Sequence, residues 1–237
     1  MTEPLLLAAA WRDALSALGA DLDGTVLLGG RDVERVALEM GAPVREVGPA
    51  LVLMGEDVSA ELGDDASPLA TGLADDSVDS VAMLAAWDGG PQLEAVAIEA
   101  ARVVRPGGNV WFGDIDAEAL VASTPATYAA AILYQARPDI SAAVLRGHEG
   151  SSRLALAASR ARLQPVTSLA TDLPWAGFSA IDEYVEAVRV GAWPGMEQLA
   201  AAEQDALLSQ VHDRFVATPF PRVEYLPWLL VRGRRSG

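Results

Sequence analysis

DDSVDSVAMLAAWDGGPQLEAVAIEAARVVRPGGNVWFGDID, residues 75–116, is the stretch that decides the fold. Residues 78–86 form an apolar run long enough for a strand covered on both faces, and Gly89-Gly90-Pro91 breaks it. Leu93, Val96, Ala97, Ala100, Ala101 and Val104 then recur at helical spacing, which gives the next segment one apolar face. Arg105-Pro106-Gly107-Gly108 is expected to stop that helix, because proline lacks an amide donor and glycine tolerates the turn. A second strand, residues 109–113, ends in acidic residues. Strand, helix, tight turn and strand within about forty residues make a βαβ unit, with parallel strands and a right-handed crossover.

The residues around this unit resemble the fourth strand, following helix and fifth strand of class I S-adenosylmethionine (SAM) dependent methyltransferases, the type 11 branch in particular. The likeness rests on Asp75-Asp76-Ser77-Val78-Asp79 leading into the strand and on Ala101-Arg102-Val103-Val104-Arg105-Pro106-Gly107-Gly108 closing the helix. It implies a three-layer, Rossmann-like α/β fold with a mostly parallel seven-stranded sheet and an antiparallel last strand. One domain over residues 1–237 is expected, with helical cap elements at about 118–163 and 179–218. None of the matching residues does the family's chemistry, so the match speaks to fold.

Composition narrows the function. The 237 residues carry a formal charge of −16, which repels phosphate backbones and anionic lipid, so neither nucleic acid nor membrane is an expected partner. No cysteine is present, which removes disulfides, thiolate catalysis and zinc-thiolate sites together. Two histidines, His148 and His212, are too few for most catalytic metal centres, and no metal is expected. His148-Glu149 lacks a second histidine four residues on, so the zinc-protease motif fails. Met1-Thr2-Glu3-Pro4 has no basic n-region and no apolar run reaches membrane length, so a cytoplasmic protein is expected.

Before the decisive stretch, residues 4–18 read as a helix and 25–30 as a first strand running into Gly29-Gly30-Arg31-Asp32-Val33-Glu34. The resemblance places the SAM loop here, where the family has an acid ending the strand and then three alternating glycines. The aligned positions are Leu28, Gly30, Asp32 and Glu34, so carboxylates stand where bare backbone must approach the ligand. Asp32 and Glu34 equally suit the first turn of a helix over 32–40. Residues 42–47 read as the second strand, and the family's ribose-binding acid aligns with Gly48; Glu46 is one register slip away. Residues 50–54 read as a strand or a helical turn, and 57–62 as a helix. The adenine-side acid aligns with Ser67, with Asp64 and Asp65 as substitutes.

The family implies that substrate residues follow the fourth strand, at Trp87 and Asp88, since ligands bind at the carboxyl ends of strands in such sheets. Asp88 is a candidate general base or a helix cap, and Trp87 a pocket wall or a packing residue. Asp114 and Asp116 share that rim as base, positioning groups or turn formers. The cofactor-site positions are thus Gly29, Gly30, Asp32, Gly48, Ser67 and Trp87, and the candidate bases Asp88 and Asp114. Further on, helices are expected over 118–137, 140–145, 151–163 (capped by Ser151 or Ser152), 179–190 (capped by Ser179) and 198–218. Strands are expected over 165–173 and 222–232, with Pro227 marking an edge or a bulge. Trp175, Phe178, Tyr184 and Trp193 could line an apolar pocket or simply pack.

Two functions follow. The first is a methyltransferase-like protein with a degraded SAM site, acting as a scaffold, a partner subunit or a binder of another ligand. The second is an active SAM-dependent methyltransferase acting on a small molecule, since transfer needs mainly cofactor placement and in-line approach. A nicotinamide-dependent enzyme is disfavoured because the first loop lacks G-x-G-x-x-G. A small molecule or a protein is the expected partner, and a homodimer is compatible with the sequence.

Overall fold

The structure, a computed structural model, describes residues 24–30, 44–48, 51–54, 66–87, 90–190 and 193–237. The helices expected over 4–18, 32–40 and 57–62 lie outside these residues, as do Asp32, Glu34, Asp64, Asp65 and Asp88. The seven strands are β1 (Val26–Gly30), β2 (Val44–Gly48), β3 (Leu51–Met54), β4 (Val78–Leu84), β5 (Val104–Ile115), β6 (Thr167–Phe178) and β7 (Arg222–Arg234). They form one sheet in the order β2-β3-β1-β4-β5-β7-β6. β1, β4 and β5 run parallel at its centre, and β7 runs antiparallel to β5. This is the expected Rossmann-like α/β class with its antiparallel last strand.

β3 is a second antiparallel strand, paired with both β1 and β2. Its direction follows from chain length. Two residues separate β2 from β3, whereas a parallel crossover needs about a dozen or more. β7 is interior, not an edge, and Pro227 sits just beyond its last pairing with β5, Ile115 with Trp228. There the missing amide costs no ladder bond to β5, and the Pro227 carbonyl accepts the Asp116 N–H at 2.8 Å.

Two compact units are distinguishable. One comprises the described residues through Ile115, with Glu149–Thr171 and Trp228–Gly237. Its core is the apolar run of the decisive stretch: Val81, Met83, Val110 and Phe112 are fully buried, with Leu27, Leu53 and Val231. Helix α1 (Gly90–Val103) buries Leu93, Val96, Ala97 and Ala100 of the expected apolar face, together with Val103; Ala101 is only partly buried and Val104 already belongs to β5. The helix ends at Val103 and β5 begins at Val104, so Arg105-Pro106-Gly107-Gly108 is a bulge inside the strand. Between Val78 and Ser80 of β4, the partner positions on β5 advance from Val104 to Asn109. Asp79 ties this region down: its carboxylate accepts the Thr25 N–H at 2.7 Å and pairs with Arg105 at 2.7 Å. Helix α5 (Ser151–Arg160) packs on α1, where Arg160 pairs with Glu94. Gly150 is its N-cap and no side chain caps it, contrary to the role expected of Ser151 or Ser152.

The other unit comprises Asp116–His148 and Asp172–Pro227. It holds α2 (Ala117–Ala122), α3 (Ala131–Ala136), α4 (Pro138–Gly147), α6 (Ile181–Arg189) and α7 (Ala201–Phe215). The single helix expected over 118–137 is therefore two. Ser123 Oγ donates to the Leu120 carbonyl at 2.7 Å, and Pro125 has no amide to continue the ladder. Ala180, not Ser179, is the N-cap of α6, and the Ser179 N–H instead donates to Glu183 Oε2 at 2.9 Å.

Candidate functional site

The carboxyl ends of β1, β4 and β5 meet at one rim, where Gly30 pairs with Leu84 and Leu84 with Gly113. The glycines there are explained by their neighbours. A Cβ on Gly29 would lie 2.3 Å from the Met83 Sδ, and one on Gly30 1.8 Å from the Leu84 carbonyl oxygen. Gly30 also has φ of +131°, which side-chain-bearing residues avoid. Leu28, aligned with the family's strand-ending acid, is buried at 4% exposure. Gly48 and Gly29 both pair with Leu51, so β3 stands between them, and two strand spacings amount to roughly 10 Å. Ser67 lies in a tight bridge with Ala70, each N–H donating to the other's carbonyl at 3.0 Å. Trp87 is partly buried against the core.

Asp114, at the end of β5, is 3% exposed. Its Oδ1 accepts the Ile115 N–H at 2.8 Å, and its Oδ2 accepts the Glu149 N–H at 2.7 Å. The carboxylate thus fixes the strand's last turn and the chain entering α5. Glu149 is itself buried at 6% exposure, and its Oε2 takes the Arg153 Nη1 at 2.8 Å, one helical turn on. The start of α1 adjoins them: a Cβ on Gly90 would stand 3.3 Å from the Arg153 Nη2 and 3.6 Å from the Glu149 Oε1. Asp114, Glu149 and Arg153 therefore converge where β5, α1 and α5 meet. Sequence reasoning found Asp114 but set Glu149 aside once the zinc motif failed. The signal it missed was the Glu149/Arg153 spacing of four, which pairs side chains on a helix.

Asp116, in the other unit, caps α2 by accepting the Ala119 N–H at 2.9 Å, a structural use of the second rim acid. In that unit Tyr128 donates to Asp172 Oδ1 at 2.5 Å. Burial, then the bonded and nearby carboxylates of Asp172 and Asp116, push the Tyr128 phenol well above its ordinary value. The expected apolar pocket is filled. Tyr184 meets Phe178 at 5.0 Å, Phe215 at 5.8 Å and Trp193 at 6.4 Å between ring centroids, all edge to face. Tyr184 and Trp193 are fully buried, so these aromatics are core. The Arg222 guanidinium lies over the Tyr184 and Phe215 rings and pairs with buried Glu224. Burial raises the Glu224 pKa, with Arg222 opposing.

Among the described residues no three histidine or carboxylate side chains are grouped to hold a metal ion, and no helix is long and apolar enough to cross a membrane. No family model and no curated protein matches the chain. Many of the solved structures that resemble it in fold are methyltransferases. A SAM-dependent methyltransferase from Thermotoga maritima is 13% identical, with 97% of this chain and 89% of that one aligned and a TM-score of 0.47. A candidate sarcosine dimethylglycine methyltransferase from Galdieria sulphuraria is 18% identical over 74% of this chain and 58% of that one, with a TM-score of 0.32. Phosphoethanolamine N-methyltransferase 2 from Haemonchus contortus is 11% identical over 70% of this chain and 35% of that one, with a TM-score of 0.34. The chain spans less than two thirds of the last two.

Proposed function

We propose that this is a methyltransferase-fold protein whose strand rim binds SAM weakly or not at all, and which serves as a scaffold, a partner subunit or a binder of another ligand. The carrying observation is Asp114: both carboxylate oxygens are engaged by backbone N–H groups, so one of the two candidate bases has a structural task. Two further features support the reading. Leu28 is buried and apolar at the position of an acid, and the glycine at position 30 is accounted for by the Leu84 carbonyl without invoking a ligand. Each lost polar contact would cost about 1 to 3 kcal/mol of cofactor affinity, and such losses do not simply add.

Titration calorimetry and thermal shift with SAM and its demethylated product test this reading. No heat and no stabilisation are expected at about 1 mM ligand. A ligand present at about a hundredfold its Kd would add about 2.7 kcal/mol to native stability. Saturable stabilisation of that size would replace the proposal with an active methyltransferase acting on a small molecule.

A further inference from the structure

β6 is the last strand of the sheet, and its first part is open to solvent. Residues 167–170 are exposed on both faces of the strand, with Leu169 at 49%. The outer side of such a strand presents a row of backbone N–H and C=O groups, and among the described residues no strand pairs with it. Proteins guard free edges with charged side chains, proline or a covering loop. Thr167-Ser168-Leu169-Ala170-Thr171 has neither charge nor proline, in a chain whose net charge is −16. Pro165 and Pro174 stand outside the segment and confine any added ladder to it and its immediate neighbours.

We propose that residues 167–171 pair antiparallel with the same residues of a second copy, forming a two-fold dimer whose sheets join at β6. A symmetric contact must be self-complementary, and this segment reads nearly the same from either end. Pairing about Leu169 sets Thr167 against Thr171, Ser168 against Ala170 and Leu169 against itself. Cross-strand threonine pairs and an apolar pair at the axis are favourable, and no like charges face each other within the ladder. A joint of five residues is smaller than the roughly 1,000 Å² of a stable interface, so the dimer is a micromolar one. Added salt strengthens it by screening repulsion between two acidic molecules.

Sedimentation equilibrium of the full chain from about 5 to 500 µM tests the proposal, since a micromolar Kd falls in that range. A monomer–dimer equilibrium is expected that tightens with salt. Leu169→Lys and Leu169→Glu each place like charges on the two-fold axis and are expected to weaken association at least about tenfold, while a one-to-one mixture of the two recovers it. Circular dichroism confirms that both variants are folded. A chain that stays monomeric throughout, growth past the dimer into filaments, or a Leu169→Lys variant that associates like the parent would each overturn the proposal.

Discussion

At the centre of the sheet, glycines leave no room for a side chain; at its β6 edge, side chains face open solvent. A Cβ on Gly30 would lie 1.8 Å from a carbonyl oxygen of β4, and one on Gly113 would lie 2.6 Å from the Leu84 and Leu230 side chains. Residues 167–170 are exposed on both faces of the strand. A side chain is thus excluded by close approach in one region and left facing solvent in the other. A glycine where a cofactor loop is expected must therefore be read first against the next strand.

The sharpest break of that comparison is Gly30→Ala. Its Cβ would meet immovable backbone in a left-handed conformation, so the expected loss is about 4 kcal/mol or more, measured as a shift of the urea midpoint. Gly113→Ala meets leucine tips that can rotate, with the Trp228 ring at 3.4 Å, and about 1 to 3 kcal/mol is expected. Were Gly30 kept solely for a ligand, its alanine variant would unfold at the same urea concentration as the parent.

Asp114→Ala comes next. It leaves the Ile115 and Glu149 N–H groups without their acceptor, and about 3 kcal/mol of stability should go. Asp114→Asn keeps an acceptor and should cost about 1 kcal/mol. A base that only touched substrate would show the reverse pattern, with both variants as stable as the parent.

What was legible in residues 75–116 was the element order, because period and breaker residues act locally. The apolar spacing of Leu93, Val96, Ala97 and Ala100 matched the buried face of α1. The direction of β3 was not legible from propensity, since strand and helical turn competed for residues 50–54; only the two-residue link to β2 settles it. Glu149 was invisible for another reason. Its burial depends on Asp114, thirty-five residues away, holding the Glu149 N–H, and no local pattern reports that. The helix over 118–137 failed because Ser123 bonds back to Leu120 and competes with the ladder.

A smaller effect lies at the edge of α1. Burial raises the Glu99 pKa, but hydrogen bonds from Arg102 and Thr71 outweigh it and hold the carboxyl below its usual value. The Thr71 N–H and hydroxyl both reach Glu99 Oε1, at 2.7 and 2.6 Å. A folded pKa below the unfolded one gives stability that is present above about pH 4.5 and lost as pH falls through the folded value. Glu99→Gln should cost about 1 to 2 kcal/mol at pH 7 and almost nothing at the acid end. Denaturation midpoints across pH 3 to 7 check this (about those limits suffice), and parallel curves for parent and variant would remove Glu99 from the account.

The smallest stability effect should be that of Leu169→Lys, and its smallness is informative. Its side chain is 49% exposed and lies in an uncharged strip, so the monomer loses little contact and changes by no more than about 0.5 kcal/mol. Measured at about 1 µM, below the association range, the unfolding midpoints of parent and variant should coincide. At a few hundred µM, roughly, the parent alone should gain stability by mass action, because only its native state pairs at β6. A difference already present in the dilute monomer would mean that Leu169 supports its own sheet, and the edge would then resemble the centre it is contrasted with.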